Sequence, residues 1–271
     1  MNILETIVAQ KKKEVAEKKT TISIDALMKN VNNNFYSLKD SLNNSDNAGI
    51  IAEFKRKSPS KGWIHENINA LEVVPAYEAN GAAAASVLTD KIFFGGSLED
   101  LKSARHQTKF PLLRKDFMID EYQLYEAKSF GADVILLISA CLSKQQTKEL
   151  AKKANELQLE VLLEIHSEKE LEYVCDEIDV IGINNRNLET FKTDVQTSID
   201  LKRKINVDKP LISESGIDNI DTILQLRDLG FKGFLIGEYF MKQQNPAIAF
   251  ADFMKSLKTL QTSLKGGFQR G

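Results

Sequence analysis

From Gly49 onward, short apolar runs alternate with longer segments in which apolar residues recur at helical spacing. Short apolar runs bounded by turn signals are typical of strands buried on both faces, and the longer amphipathic segments are typical of helices. The predicted strands span residues 50–55, 84–88, 111–115, 133–138, 160–164, 180–184, 210–214 and 233–237. The predicted helices span residues 71–80, 97–108, 121–130, 144–157, 168–176, 195–205, 217–229 and 246–258.

Strict alternation of these strands and helices predicts parallel strands joined by helical crossovers, which is the α/β class. Eight such pairs predict a closed (β/α)8 TIM barrel, a fold of about 250 residues. An open doubly wound sheet is the alternative, but it normally has fewer units and a glycine-rich turn after its first strand. Because no GxGxxG motif follows residues 50–55, we predict the barrel.

The N-terminal segment is interpreted as a helical extension of the barrel. Leu4, Ile7, Val8 and Val15 fall on one helical stripe of residues 4–19, with lysines opposite, which predicts an amphipathic surface helix. A membrane-binding basic helix is the alternative, but glutamates interrupt the charge and the apolar stripe is narrow. The predicted limits are 1–48 for this extension, 49–260 for the barrel and 261–271 for a flexible C-terminal tail.

Composition and charge narrow the range of partners. The 271 residues are 42% hydrophobic and 27% charged, and 38 acidic against 36 basic residues give a formal net charge of -2. This balance gives no general attraction for nucleic acid, so any anion site must be local. The apolar stretch 134–138 is too short to span a bilayer, and the N-terminal segment lacks the apolar core of a signal peptide. We therefore expect a cytoplasmic protein with no nucleic-acid or membrane partner.

The cysteines and histidines do not form a metal-binding pattern. Cys141 and Cys175 are too far apart for a CxxC motif and are expected to be inert buried thiols. His65 and His106 have no partners at ligand spacing. His166 precedes a predicted helix cap, which favours a local structural role over catalysis. We expect neither a metal nor a disulfide.

Polar side chains close several of the predicted strands at the same relative place. An unpaired buried charge costs several kcal/mol, so its repetition at strand ends indicates a shared polar site. In a barrel these ends meet at one rim, where active sites lie. Glu53 and Lys55 are two residues apart and therefore share a face, although a structural ion pair would explain these two alone. The predicted site residues at the strand ends are Glu53, Lys55, Lys115, Glu164, Asn184 and Glu214.

Such crowding of lysines and glutamates separates their pKa values, leaving some groups able to donate a proton and others able to accept one. Lys115 is close in sequence to Phe117. If the surroundings of Lys115 are apolar, desolvation is expected to lower its pKa toward that of a useful acid.

Glycines follow the seventh and eighth predicted strands, where barrels often bind phosphate. Ser215-Gly216 and Gly237-Glu238 offer backbone N–H groups with little steric obstruction near a predicted helix start. Arg186 is placed to add a charge-assisted bond. A tight turn would explain either glycine alone, and the pair favours a phosphate site.

Two loops are candidates for covering that site. Residues 56–63 are basic and hold the only tryptophan, so they form either a solvated loop or a lid that closes over an anionic substrate. Phe93 and Phe94 stand beside two glycines in a short loop. They predict a wall for a planar substrate ring.

Several of these segments resemble the motifs of one barrel family. The stretch EFKRKSPSKG at residues 53–62 resembles the first-strand signature of the indole-3-glycerol-phosphate synthases of tryptophan biosynthesis. LRKDF at 113–117, LEIH at 163–166, GINNRNL at 182–188 and SESGI at 213–217 resemble later motifs of that family. The resemblance covers nearly the whole chain and implies a TIM barrel without a cofactor. We expect a small phosphorylated substrate as the partner and a monomer or weak homo-oligomer.

The reaction that the resemblance implies is ring closure of 1-(o-carboxyphenylamino)-1-deoxyribulose 5-phosphate with loss of carbon dioxide and water, a carboxy-lyase reaction. It implies that Lys115 is the general acid, Glu164 the proton acceptor and donor, and Lys55 the partner of the substrate carboxylate. The residues implied to orient the site are Glu53, Asn184 and Glu214. Those implied to bind phosphate or carboxylate are Ser58, Arg186, Ser215, Gly216 and Gly237, and those implied to line the ring pocket are Phe94, Phe117 and Leu188.

Two residues depart from the family pattern. Gly95 stands where a longer polar residue often occurs, and Glu238 stands where a serine often contacts phosphate. Because a carboxylate repels phosphate, we expect the Glu238 side chain to point away while its backbone N–H binds the substrate. Two other functions stay open: a Schiff-base aldolase with Lys115 or Lys55 as nucleophile, and a barrel that only binds a phosphorylated ligand.

Overall fold

Eight parallel strands close into a barrel in the computed structural model of the chain. The structure describes residues 2–29, 31, 34–187 and 190–267, with side chains described through residue 261. The strands are β1 (Ile50–Phe54), β2 (Ala84–Leu88), β3 (Leu112–Lys115), β4 (Val134–Ile138), β5 (Glu160–Ile165), β6 (Val180–Asn184), β7 (Leu211–Glu214) and β8 (Gly233–Ile236). They are ordered around the ring as they are in the chain, and β1 closes it by pairing with both β2 and β8. The predicted TIM barrel is confirmed.

Helices precede the barrel and connect its strands. They are α1 (Ile3–Thr21), α2 (Ile24–Met28), α3 (Leu38–Asn43), α4 (Ala70–Ala79), α5 (Lys91–Phe94), α6 (Leu98–Gln107), α7 (Tyr122–Ser129), α8 (Lys144–Glu156), α9 (Gln196–Lys202), α10 (Ile220–Asp228), α11 (Glu238–Met241) and α12 (Pro246–Gly267). Short 3₁₀ helices, Ser139–Cys141 and Glu168–Tyr173, follow β4 and β5. A two-stranded hairpin, Lys57–Ser58 with Gly62–Trp63, follows β1.

The connection after β5 differs from the prediction. An α-helix was predicted over residues 168–176, but the structure has the 3₁₀ helix Glu168–Tyr173, and Ser167 forms no side-chain cap. The carboxylate of Glu170 accepts the backbone N–H of His166. It is therefore engaged elsewhere and does not complete a capping box.

The C-terminal prediction also differs. A helix was predicted over residues 246–258 and a flexible tail over 261–271. Helix α12 runs to Gly267, so residues 261–267 continue the helix. The rest of the predicted tail, 268–271, lies outside the described residues.

Alternate residues of each strand face the barrel interior. In β1, Ile50 and Ala52 belong to the outer core between strands and helices, whereas Ile51 belongs to the core inside the ring. Because the side-chain period of a strand is two, Glu53 continues the inward face of Ile51. The inner core also contains Leu113, Leu162, Val180, Ile212 and Leu235. Residues two and four positions beyond these reach the carboxyl-terminal rim from the inside.

Helix α3 covers the amino-terminal end of the barrel. Leu38 and Leu42 pack into the inner core. The Glu160 carboxylate, at the start of β5, accepts the backbone N–H groups of Leu38 (2.7 Å) and Lys39 (3.1 Å). These contacts satisfy free donors at the first turn of α3, so a strand start stabilises the helix that covers it.

Helix α1 reaches the opposite end of the barrel. Ile7 joins the inner core, with Ile3 and Leu4 packed beside it. The ammonium of Lys11 is buried and lies 2.8 Å from Asp90 and 2.9 Å from Asp116. The N-terminal extension therefore contacts both ends of the ring.

Candidate active site

The ammonium of Lys115 lies among three carboxylates at the carboxyl-terminal rim. Its Nζ is 2.7 Å from Glu214, 3.7 Å from Glu53 and 3.9 Å from Glu164. Lys55 pairs with the other oxygen of Glu53 at 2.6 Å. Each of these five side chains lies at the carboxyl-terminal end of a strand or directly after it, and points into the barrel. The two-residue period of the strands therefore brings them together.

Lys115 has a raised pKa, contrary to the prediction that desolvation would lower it. Burial by itself does lower the pKa of this ammonium. The charges of Glu214, Glu53 and Glu164 outweigh burial and raise the pKa above the ordinary range. Lys115 is therefore an ammonium at every pH at which the protein is expected to work.

The carboxylates around Lys115 are not equivalent. Burial raises the pKa of Glu214, opposed by Lys115 and reinforced by the charges of Glu164 and Glu53. For Glu164, burial is outweighed by the contact with His166 and the charge of Lys115, which lower the pKa. Glu214 is therefore the group that holds a proton more readily, and Glu164 is held as a carboxylate.

Two glycines make room for these carboxylates inside the ring. A side chain at Gly182 on β6 would strike the carboxylate oxygen of Glu214, and one at Gly237 would strike the carboxylate of Glu53. Gly182 has no positive φ, so the available space rather than the backbone conformation demands a glycine. The glycines therefore belong to the construction of the charged cluster.

The cavity above this cluster has a volume of about 540 Å³ and extends between two chemically different ends. Phe94 and Phe117 lie at one end with ring centroids 6.0 Å apart, close to Ile7 of α1. Of the predicted aromatic pair, Phe94 lines the cavity and Phe93 does not. An apolar end of this kind suits a planar ring.

The loops after β6, β7 and β8 form the other end. Ser215 and Gly216 have successive positive φ angles of 67° and 72°, which make a tight left-handed turn directly after β7. Asn185 donates a 3.0 Å bond to the Ser215 carbonyl and holds this turn. Gly237 and Arg186 line the same end of the cavity. The predicted anion-binding residues therefore lie close together.

The side chain of Glu238 does not point away from the cavity as predicted. It lines the cavity, pairs with Lys61 of the loop after β1 and lies 3.8 Å from Arg186. The charges of Lys61 and Arg186 stabilise the ionised carboxylate in this orientation. It therefore lies beside the anion-binding end of the cavity, which we call the anion seat.

The basic loop after β1 is tied down at both ends. Arg56 forms a bidentate pair with Asp100, at 2.6 and 2.7 Å. Lys57 lies over the half-exposed ring of Trp63, 5.4 Å from its centroid. Between them, Ser58 is buried and lines the cavity, and its Oγ has no hydrogen-bond partner among the described residues. Buried polar groups normally have a partner, so this hydroxyl beside the cavity is a candidate contact for a ligand.

Two predicted residues complete the account of the site. Asn184 lies at the end of β6, and its amide donates a 3.1 Å hydrogen bond to Glu164. Leu188 lies outside the described residues. Sequence reasoning missed Ile3, Leu4 and Ile7 as cavity residues, because an amphipathic stripe does not reveal which surface it covers.

The described residues contain no group of three or more histidine, cysteine, aspartate or glutamate side chains that could hold a metal ion. In the same part of the chain, no helix is both long enough and apolar enough to cross a bilayer.

Comparison with known proteins identifies the family. A family model described as indole-3-glycerol phosphate synthase matches residues 4–253. The chain belongs to the indole-3-glycerol phosphate synthase family. The family resemblance drawn from the strand-end motifs is thereby confirmed.

Curated members of the indole-3-glycerol phosphate synthase family align over most of the chain. The protein of that name from Bacteroides thetaiotaomicron is 52% identical over 259 residues, which cover 95% of this chain and 99% of that protein. The one from Prochlorococcus marinus subsp. pastoris is 43% identical over 270 residues, covering 94% and 90%. The one from Acinetobacter baumannii is 48% identical over 204 residues, covering 74% and 76%.

Solved structures of tryptophan synthase α-subunits share the fold. The subunit from Legionella pneumophila has a TM-score of 0.62 at 12% identity and covers 82% of this chain and 97% of that one. A mutant subunit from Pyrococcus furiosus has a TM-score of 0.61 at 15% identity and covers 79% and 98%. At such identities the similarity establishes the barrel alone.

Proposed function

We propose that the chain catalyses ring closure, decarboxylation and dehydration of 1-(o-carboxyphenylamino)-1-deoxyribulose 5-phosphate to indole-3-glycerol phosphate in tryptophan biosynthesis. The observation that carries this proposal is the Lys115 ammonium among three carboxylates, below a cavity with an apolar end and an anion seat. Membership of the indole-3-glycerol phosphate synthase family supports the same reaction.

The substrate has one planar ring and two anionic groups, and the cavity offers a partner for each. The phosphate binds the backbone N–H groups of Ser215, Gly216 and Gly237, with Arg186 adding a charge. The Glu238 backbone N–H extends this seat. The aromatic ring lies against Phe94 and Phe117, and Leu188 is proposed to complete this wall. The ring carboxylate binds Lys55 and the Ser58 hydroxyl.

Lys115 serves as the general acid of ring closure. The ring carbon that bears the carboxylate attacks the ketone carbon, and the ketone oxygen takes a proton from Lys115. An ammonium fixed beforehand by Glu53, Glu164 and Glu214 stabilises negative charge as it develops on that oxygen. Carbon dioxide then leaves, and the electrons of the broken carbon–carbon bond restore the aromatic ring.

Glu164 exchanges protons in the dehydration. The new hydroxyl takes up one proton and leaves as water, while the neighbouring carbon gives up one proton. Glu164 is held as a carboxylate and oriented by Asn184, so it suits the accepting role, and it lies 3.9 Å from Lys115. Glu53 and Glu214 orient the two lysines through the ion pairs described above.

The test is a turnover assay on the purified chain that follows the fluorescence of the indole product. We expect product formation, and its loss in Glu164→Gln, a variant that retains the shape of the side chain. No product at saturating substrate would reject the proposal. Borohydride added with the substrate tests the aldolase alternative, which requires a covalent adduct at Lys115 or Lys55.

We also propose a cytoplasmic location and a monomeric or weakly homo-oligomeric state. The completeness of the charged cluster within one chain supports a site that needs no second subunit. Light scattering on an eluting chromatographic peak should give 30.4 kDa, or a mass that rises with concentration toward twice that value. A stable tetramer at low concentration would contradict it.

A further inference from the structure

Behind Glu164 lies a histidine that does not line the cavity. The Nε2 of His166 is 3.3 Å from Glu164 Oε1, and its Nδ1 is 3.5 Å from Glu170 Oε2. These distances describe ion-pair contacts, and neither ring nitrogen makes a well-aligned hydrogen bond to any of the described residues. The imidazole therefore lies between two carboxylates.

The outer carboxylate is fixed by its own bonds. Glu170 Oε2 accepts the backbone N–H of His166 at 2.6 Å and the Ser139 hydroxyl at 2.7 Å. The inner carboxylate is shared between two sides, because Glu164 Oε1 faces His166 and Asn184 while Oε2 faces Lys115. A continuous polar chain thus runs from the surface connection after β5 to the cavity.

The carboxylates around Lys115 outnumber the ammonium groups that pair with them. Glu53, Glu164 and Glu214 contribute three carboxylates, whereas Lys55 and Lys115 contribute two ammonium groups. Lys115 is nearest to Glu214, which leaves Glu164 without a cation at close hydrogen-bonding distance on the cavity side. A buried carboxylate without such a partner is driven toward its neutral form.

We propose that His166 is a positioning residue: its imidazolium, held between Glu164 and Glu170, keeps Glu164 ionised and aims its carboxylate at Lys115. This inference deepens the proposed function and rests on it. Since His166 does not reach the cavity, it acts on the reaction only through Glu164.

The groups that face His166 favour its charged form. They are Glu164 at the end of β5 and Glu170 on the following 3₁₀ helix, whereas the ammonium of Lys115 lies beyond Glu164 and opposes a positive charge on the ring. Burial by itself lowers the pKa of His166, but its contacts with the two carboxylates raise it to about 10. Cys141 faces Glu164 from the 3₁₀ helix after β4, and burial raises the pKa of its thiol to about 12, so it stays neutral.

The first test needs no substrate. The chain has three histidines, so NMR of isotope-labelled imidazole rings gives three signals, and His166→Gln assigns one of them. We expect the His166 ring to remain protonated at pH 8, and to lose its proton at lower pH in Glu164→Gln. A neutral His166 ring at pH 8 would overturn the proposal. This result stands even if the chain forms no indole product, so failure of the proposed function is recognised separately.

The second test compares pH profiles of kcat/KM. His166→Gln keeps a hydrogen-bond donor but removes the charge. The acid limb, where kcat/KM falls as Glu164 takes up a proton, should then move up by about 1 to 3 pH units, because a nearby cation lowers a carboxyl pKa by that amount. Glu170→Gln leaves His166 charged at acid pH and removes a carboxylate, so it should not move the acid limb up, and KM should change little in both variants. His106→Gln, at an exposed site on α6, is the control. A folded His166→Gln with an unchanged acid limb and a lower melting temperature would assign His166 a structural role only.

Discussion

At the residue scale, the chemistry of the site depends on how charges share one small volume. The residue types and their inward direction could be predicted from sequence, since Glu53 and Lys55 follow a strand period of two. That the pKa of Lys115 is raised and not lowered could not be predicted, because it depends on carboxylates from three other strands. Distances between separate strand ends are not encoded in any local pattern.

Replacing Lys115 with alanine should lower kcat by about 10²–10⁴-fold and change KM little, because general-acid catalysis acts in the transition state. Steady-state kinetics with product fluorescence measures both constants. Lys144→Ala, which removes an exposed lysine paired with Glu172, is the matched control and should leave both unchanged. A rise in KM with unchanged kcat would make Lys115 a binding residue only.

His166 should also give the stability of the protein a specific pH dependence. Its pKa is raised from 6.5 to about 10 in the folded chain, so its stabilising contribution is complete below pH 6.5 and is lost as the pH rises toward 10. Denaturant unfolding at pH 6 and pH 10 measures this loss. Wild type should lose more than His166→Gln by at least about 1.4 kcal/mol, the equivalent of one pKa unit. Equal losses would contradict the raised pKa.

At the element scale, strands and most helices follow from hydrophobic periodicity, whereas their attachments do not. The stripe of α1 was predicted, but its position over the cavity depends on Lys11 reaching Asp90 and Asp116 across the chain. After β5 the structure has a 3₁₀ helix instead of the predicted α-helix, and Glu170 binds the His166 backbone instead of completing the cap. The position of α1 therefore depends on contacts distant in sequence, and the missing cap after β5 on a contact only four residues long.

Lys11→Met should destabilise the protein by about 3–5 kcal/mol, because it leaves buried carboxylates of Asp90 and Asp116 without their shared cation. Denaturant unfolding followed by circular dichroism measures the loss. Lys12→Met changes an exposed neighbour on the same helix and should stay within about 0.5 kcal/mol of wild type. If both variants unfold alike, the buried pairs do not anchor α1.

Gly182→Ala should cost about 1–3 kcal/mol of stability, because the added methyl group would overlap the Glu214 carboxylate. In a Glu214→Ala background the same substitution should cost much less, since the overlapping group is gone. A double-mutant cycle on unfolding free energies isolates this coupling. Additive losses would mean that Glu214 does not occupy the space beside Gly182.

At the scale of the whole molecule, closure of the ring converts separate strand ends into one site. Strict alternation of strands and helices was enough to predict the barrel and its reactive rim. It was not enough to predict that the N-terminal extension covers both ends, with α3 below and α1 beside the cavity. An extension has no repeating partner in the chain, so its position depends on tertiary contacts alone.

The most direct measurement of the central claim is a crystal structure with a substrate analogue whose ketone is reduced to an alcohol. We predict that the alcohol oxygen lies about 3 Å from Lys115 Nζ, at hydrogen-bonding distance. The phosphate should lie on the Ser215–Gly216 turn, and the carboxylate beside Lys55. Density that places the phosphate on Lys115, or the alcohol beyond reach of its ammonium, would contradict the assignment of Lys115 as the general acid.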